Sequence, residues 1–256
     1  MQLFHAALVS FAERRAIYMK DKMEYLRAYT LIKDADAYVY QPCEIKKIPA
    51  GIIPQYWHDA LSREDADKRI QGILETWKKY VMDELYLTIG YLEENLSNIE
   101  LLRINDTYYL LYSVKKASGK IRYYAGGNPQ DSVVESNLQN VWNKIPQSIR
   151  CFYENVHNGF YDYACKAMGL VRTSDINYVR DNEWEWGILE DLEEDLQIDM
   201  ESTYGFFSNM MGTYVAVDIM NCDIDSATLW SAKGQPKYHL NFWDVVDEWI
   251  KIGMED

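Results

Sequence analysis

Residues 142–160, Trp-Asn-Lys-Ile-Pro-Gln-Ser-Ile-Arg-Cys-Phe-Tyr-Glu-Asn-Val-His-Asn-Gly-Phe, carry the clearest structural signal in this chain of 256 residues. Ile145-Pro146 predicts the start of a short helix, because the N–H that proline lacks has no intrahelical partner in the first turn. Asn158-Gly159 predicts its end, since glycine readily adopts the left-handed conformation of a C-terminal cap. No catalytic motif runs along the stretch, so it indicates a binding scaffold rather than chemistry.

The composition predicts a globular protein with an acidic surface. Apolar residues make up 48% of the chain, and 21 tyrosines and 8 tryptophans argue against disorder. A formal charge of −14 disfavours nucleic-acid binding, which needs Lys and Arg opposite the phosphates. The same charge attracts basic partners, although solubility alone is the simpler explanation of acidity.

The N-terminus and the cysteines predict a cytoplasmic protein. Residues 1–5 lack the positively charged start and the apolar core of a signal peptide. No run approaches the ~18 apolar residues of a membrane span. The cysteines form no Cys-x-x-Cys pair, which disfavours zinc and redox sites. They are Cys43, Cys151, Cys165 and Cys222.

Hydrophobic periodicity predicts two long helices in the first hundred residues. Apolar side chains recur every seven positions from Phe4 to Ile32, as in an amphipathic helix. A loop follows, and Ser62 with Asp65 then reads as the capping box of a second helix that reaches about Leu96. Gly72 and Gly90 weaken this second helix locally.

Three β-rich runs after these helices predict a β-meander. The runs are residues 99–104, 108–114 and 120–124. The stretch from Gly126 to Ser132 is the most linker-like part of the chain. We therefore predict a boundary near residue 130, with an N-terminal helical region and β-meander at 1–130 and an α+β domain at 131–256.

The second region is predicted to contain further strands and two more helices. An acidic helix is expected between about Glu185 and Ile198, and a closing helix is expected after the cap Asn241, with Asp244 three residues on. Between them, strands are predicted at residues 206–210, 214–220 and 228–231. The fold class is therefore α+β, with a mixed or antiparallel sheet flanked by helices.

Catalytic and metal-binding signals are weak. A thiol–imidazole pair of Cys151 or Cys165 with His157 is one possibility, but Cys151 lies in an apolar stripe, as buried cysteines often do. A group of aspartates is the other, although it lacks the glycine and distal glutamate of a calcium loop. The group comprises Asp218, Asp223 and Asp225. We therefore expect no enzymatic activity, no metal site and no cofactor.

The charge is concentrated in residues 181–201, which hold ten carboxylates and no Lys or Arg. The other 30 acidic residues nearly balance the 26 basic ones. Leu189, Leu192 and Leu196 share one predicted helical face, which directs the acids to solvent, and neighbouring tryptophans suit an Arg- or Lys-rich protein surface. The predicted partner-binding residues are Asp181, Glu183, Trp184, Glu185, Trp186, Glu190, Asp191, Glu193, Glu194 and Asp195. A solvated helix face is the alternative.

Residues 135–252 resemble the SUKH superfamily, specifically its Smi/Knr-type members. The matching segments are Trp142 to Phe160, Met168-Gly169-Leu170-Val171, Tyr214 to Asp218, Leu229-Trp230 and Asn241 to Ile250. The resemblance implies an α+β fold with a mixed or antiparallel sheet flanked by helices. In bacteria such proteins are typically immunity proteins, which bind and neutralise a toxin delivered by a competing cell. The family has no catalytic residues to carry over.

Charge and resemblance together predict a cytoplasmic, non-enzymatic immunity protein. Its acidic, tryptophan-containing surface would cover the basic active site of a cognate toxin domain, such as a nuclease. Neither nucleic acid nor a membrane is an expected partner. A scaffold or regulatory adaptor without a toxin partner is the alternative, and an enzyme that uses Cys151 with His157, or the aspartates near Asp218, is a third possibility.

Overall fold

Ten strands follow one another in chain order and form one antiparallel sheet in the computed structural model. The structure describes residues 11–30, 35–131, 136–176, 178–179, 189–209, 211–222, 225–231 and 234–255, with the side chains of 11–18 and 136–137 left out. The strands are β1 (Ala37–Val39), β2 (Leu96–Ile104), β3 (Thr107–Lys115), β4 (Ile121–Gly127), β5 (Phe160–Asp162), β6 (Gly169–Leu170), β7 (Thr203–Ser208), β8 (Thr213–Asp218), β9 (Ser226–Ser231) and β10 (Gly234–Asn241). Each strand pairs antiparallel with the next one.

Helices cover this sheet, which confirms the α+β class. They are α1 (Phe11–Ala28), α2 (Pro42–Ile45), α3 (Gln55–Leu61), α4 (Ala66–Val81), α5 (Tyr86–Asn95), α6 (Ser136–Gln139), α7 (Gln147–Asn155) and α8 (Phe242–Glu255). The main core lies on one face of the sheet, where buried side chains of α3, α4, α5, α7 and α8 pack against alternate strand residues. We call this the helical face.

The opposite face of the sheet is covered in two separate places. Leu26 of α1 packs with Leu102, Leu111 and Tyr123 over the first half of the sheet. A second small cluster around Trp230 lies over the second half. The sheet therefore has one face that supplies most of the core and one that is covered only locally.

The predicted layout of two long N-terminal helices is not confirmed. Helix α1 matches the described portion of the first, and residues 1–10 and 31–34 lie outside the described residues. The second prediction was wrong in its start and its length. Asp65 is itself the N-cap, with its side chain accepting hydrogen bonds from the N–H groups of Asp67 and Lys68 at 3.0 and 3.3 Å.

The predicted second helix is divided into α4 and α5, with a turn at residues 82–85. The buried carboxylate of Asp247 in α8 accepts hydrogen bonds from the N–H groups of Leu87 and Thr88, both at 2.8 Å. This carboxylate satisfies the free N–H groups at the start of α5. Because Asp247 is some 160 positions away in the chain, local sequence gives no sign of the break. The predicted loop before this helix also contains α2.

The predicted strands, which are rich in apolar residues, are confirmed. The predicted meander corresponds to β2, β3 and β4, and the three later runs correspond to β7, β8 and β9. Strands β1, β5, β6 and β10 were not predicted. Strand β10 was missed because it contains Pro236 and many polar residues. The closing helix α8 was predicted correctly, and the Asn241 side chain accepts hydrogen bonds from the N–H groups of Trp243 and Asp244.

The helix predicted around Pro146 is α7. Pro146 is its N-cap, and the helix ends at Asn155, three residues before the predicted stop. Gly159 has a φ of +81°, the left-handed conformation expected there. The Asn158 side chain accepts hydrogen bonds from the N–H and the hydroxyl of Thr173, which ties the segment after α7 to the chain beyond β6.

Gly126-Gly127, predicted as part of a linker, is instead the end of strand β4. A Cβ atom on Gly126 would lie 2.5 Å from the His157 ring, and one on Gly127 would lie 2.2 Å from the Asn158 carbonyl oxygen. The glycines therefore permit a close approach of the chain after α7. Strand β4 lies before the predicted boundary at residue 130 and β5 lies after it, and the two strands pair with each other. The two predicted regions therefore share one sheet and one core.

His157 lies at the centre of this junction. Its Nδ1 is 3.1 Å from the Gly127 carbonyl oxygen, and its Nε2 is 2.7 Å from the Tyr112 hydroxyl. Since a carbonyl can only accept, Nδ1 carries the proton and Nε2 accepts from Tyr112. The Tyr112 hydroxyl in turn accepts from Trp77 Nε1 at 3.0 Å. Burial lowers the pKa of His157 to about 3, so the imidazole is neutral.

Replacing Gly126 with alanine should lower the free energy of unfolding by about 1–3 kcal/mol, the usual cost of overpacking. The added methyl would displace the His157 ring. Gly90→Ala is the matched control, because nothing lies within 4 Å of a Cβ there, and this change should add up to ~1 kcal/mol of helix stability. Urea unfolding measures both; equal stability of the two variants would refute the close approach.

His157→Gln should flatten the pH dependence of stability. The unfolded imidazole, with a pKa near 6.5, takes up a proton that the folded one, with a pKa of about 3, does not. The stability present above pH 6.5 is thus lost as the pH falls toward 3, by about 1.4 kcal/mol per pH unit. Urea unfolding across that window should show this slope in the difference between wild type and H157Q. The same slope in a His58→Gln control would contradict the assignment.

Candidate partner-binding surface

The described part of the acidic segment lies against the sparsely covered face of the sheet. Its apolar side chains pack on a small cluster formed by Val179, Ala216 and Trp230. The contributing side chains are Leu189, Leu192, Leu196, Ile198 and Met200. The leucines therefore face the protein, as predicted.

The prediction of an acidic helix was wrong for the part of the segment that the structure describes. Residues 189–191 form one 3-10 turn, and residues 192–199 contain no helix. Side chains from elsewhere hold the backbone instead. Gln235 of β10 donates to the Asp191 carbonyl oxygen at 2.8 Å and accepts from the Glu193 N–H at 3.1 Å. These bonds replace those a helix would supply.

Asp218, at the end of β8, anchors the far end of the segment. Its carboxylate accepts hydrogen bonds from the Asp199 N–H at 2.9 Å and the Ser202 hydroxyl at 2.6 Å. The Met220 N–H and the Asn221 amide donate to it as well. Burial alone would raise the pKa of Asp218, but these four hydrogen bonds outweigh burial and lower it.

Two of the three aspartates that could have held a cation, Asp218 and Asp225, have hydrogen-bond partners among the described residues. Asp218 uses its oxygens on four donors, and Asp225 accepts a hydrogen bond from the Ser148 hydroxyl. Asp223 lies outside the described residues. Within the described part of the chain, no group of three or more His, Cys, Asp and Glu side chains is placed to hold a metal ion.

Five of the ten predicted partner-binding residues can be placed, and all five are exposed. They are Glu190, Asp191, Glu193, Glu194 and Asp195. None of the ion pairs formed among the described residues includes them. The other five predicted residues, Asp181, Glu183, Trp184, Glu185 and Trp186, lie outside the described residues. We refer to residues 189–195 as the acidic surface.

The thiol–imidazole pairs do not form. Both ring nitrogens of His157 are used on Tyr112 and Gly127, and the Cys151 thiol lies 3.6 Å from the Tyr80 carbonyl oxygen. Burial raises the pKa of Cys151, and burial together with Asp162 raises the pKa of Cys165 to about 11. A thiol with a raised pKa is a poor nucleophile at neutral pH.

The residues that hold the acidic surface in place were not among the predicted site residues. Gln235 lies in the missed strand β10, and from the same strand His239 Nε2 lies 3.1 Å from the Gln197 side-chain oxygen. The polar alternation of β10 is the one signal that points to this role, because its side chains reach the segment from the sheet edge.

The chain matches no family model, no curated protein and no solved structure. In the described part of the chain, every helix is too short or too polar to span a bilayer. The geometry of the acidic surface, together with the sequence resemblance, is therefore the basis on which a function is proposed.

Gln235→Ala should loosen the acidic surface without unfolding the protein. The change removes both side-chain hydrogen bonds to residues 191 and 193, so amide exchange there should accelerate severalfold while the global unfolding free energy changes by less than about 1 kcal/mol. Gln139→Ala, on the short helix α6, is the control. Unchanged exchange at residues 191–193 in Q235A would mean that Gln235 does not hold the segment.

Proposed function

We propose that this chain is a non-enzymatic immunity protein that binds a basic toxin domain through its acidic surface. The observation that supports this proposal is a group of five exposed carboxylates within residues 190–195. None of them forms an ion pair with a described basic residue. Like charges this close together repel one another, and a basic partner relieves that repulsion.

The way the segment is held supports a binding role over a solvated face alone. Its leucines pack on the sheet and its backbone is bonded to Gln235 and Asp218. The acids therefore sit on a backbone that is already ordered before a partner arrives. Pre-ordering lowers the entropic cost of association, and the clustered charge speeds the encounter at low salt.

The SUKH resemblance of residues 135–252 supplies the class of partner. Immunity proteins of that kind block toxins in the cytoplasm, and an acidic surface suits a toxin whose active site is basic, as in a nuclease. An interface of standard size buries on the order of 1,600 Å², more than residues 189–195 alone present. The predicted tryptophans Trp184 and Trp186 would extend the interface.

Charge reversal tests the proposal directly. Changing Glu190, Glu193, Glu194 and Asp195 together to lysine should weaken binding to a candidate toxin domain taken from a neighbouring gene by at least about a hundredfold, because several like-charge contacts replace attractive ones. The salt dependence of the association rate should fall as well. Binding is measured by surface plasmon resonance at several salt concentrations, and neutralisation by growth rescue on co-expression.

A matched control reverses four exposed acids on the helical face. These are Glu75, Asp83, Glu94 and Glu248. The control has the same net charge as the test variant and should retain binding and rescue. If both variants lose binding equally, net charge rather than the acidic surface is responsible. If the wild-type chain neither binds nor rescues, the immunity function itself is wrong and the adaptor reading is favoured.

A further inference from the structure

A cavity of about 310 Å³ opens on the sparsely covered face of the sheet, away from the acidic surface. Its walls include Tyr109 of β3, Tyr161 of β5 and Tyr163, which follows β5. Ala125 of β4 forms the floor and is the direct partner of Tyr161 in the sheet. Ala125 contributes only a methyl group to the cavity wall, so a larger side chain at this position would reduce the volume.

Two cationic side chains border the same cavity. Lys166 Nζ lies 3.5 Å from the centre of the Tyr163 ring, and the Arg172 guanidinium lies 5.7 Å from the centre of the Tyr109 ring. Arg172 also donates from Nη1 to the Tyr109 hydroxyl at 3.2 Å. These contacts hold both cations beside aromatic rings rather than out in solvent.

The two cations have hydrogen-bonding capacity left over. The Nε of Arg172 is shielded from solvent and has no hydrogen-bond acceptor among the described residues. The ion pairs among the described residues include neither Arg172 nor Lys166. One carboxylate, that of Asp175, lines the cavity, and that of Asp131 lies near enough to influence Arg172.

We propose that this cavity binds a small aromatic carboxylate. The tyrosine rings offer stacking or edge contacts to a planar ring, and Arg172 offers a charge-assisted hydrogen bond to a carboxylate. The Nε of Arg172, which has no acceptor among the described residues, is the donor that a carboxylate in the cavity would satisfy. The volume falls at the lower end of the range for small-ligand pockets. The proposal is independent of toxin binding, because the acidic surface lies over strands at the other end of the sheet.

Phenylacetate is the probe, tested on the full chain by saturation-transfer NMR and calorimetry. Cyclohexylacetate keeps the charge without the aromatic ring, and benzyl alcohol keeps the ring without the charge. Phenylacetate should bind at least about tenfold more tightly than either, since each lacks one of the two recognised groups. No transfer from phenylacetate to the folded protein, or equal binding of the three probes, would overturn the proposal.

Two variants test the site by different routes. Ala125→Leu fills the floor and should abolish binding, and Arg172→Met should weaken it at least about tenfold. Lys115→Met, which removes one exposed charge at the end of β3, should leave binding unchanged. Circular dichroism confirms that each variant is folded. Unchanged affinity in folded R172M, or a loss in K115M as large as in R172M, would contradict the assigned site.

Discussion

The hydrogen bonds of buried His157 hold the chain that follows α7 against strands β3 and β4. Its ring links Tyr112 of β3 to the carbonyl of Gly127 at the end of β4, and Tyr112 carries the link on to Trp77 of α4. Leaving one of these buried polar groups without a partner costs about 1–3 kcal/mol. The hydrogen bonds of His157 help to hold β5 beside β4, and each later strand pairs in turn with the strand before it. The second half of the sheet, and with it the acidic surface, depends on this junction.

The two faces of the sheet separate the main core from the two binding sites proposed above. The helical face buries most of the largest side chains, among them Trp57, Trp77 and Phe242. The other face is covered by α1 at one end and by the acidic segment at the other, and the cavity beside Tyr161 opens on it as well. Substitutions on this face can therefore change what the protein binds while the main core stays intact.

Local sequence patterns correctly predicted the elements that are stabilised by residues close to them in the chain. Helix α8 has its cap at Asn241, α7 starts at Pro146, and the strands from β2 to β4 show their apolar residues plainly. Several of the failures involve distant partners. Asp247 starts α5, Gln235 replaces helical bonds in the acidic segment, and His157 and Asn158 explain the paired glycines of β4. The position of the acids at the surface was predictable from the leucine spacing; the shape of their backbone was not.

Because each strand pairs with the one made just before it, the sheet can grow as the chain is synthesised, with long connections to close between β1 and β2, between β4 and β5 and between β6 and β7. Strand β10 is the last to be added, and it brings Gln235 to the acidic segment. Until β10 has been made, the hydrogen bonds from Gln235 cannot hold the backbone that carries the carboxylates. A nascent chain would thus have most of its sheet before residues 191 and 193 gain these hydrogen bonds, so the acidic segment would reach its final arrangement only after β10 has been made.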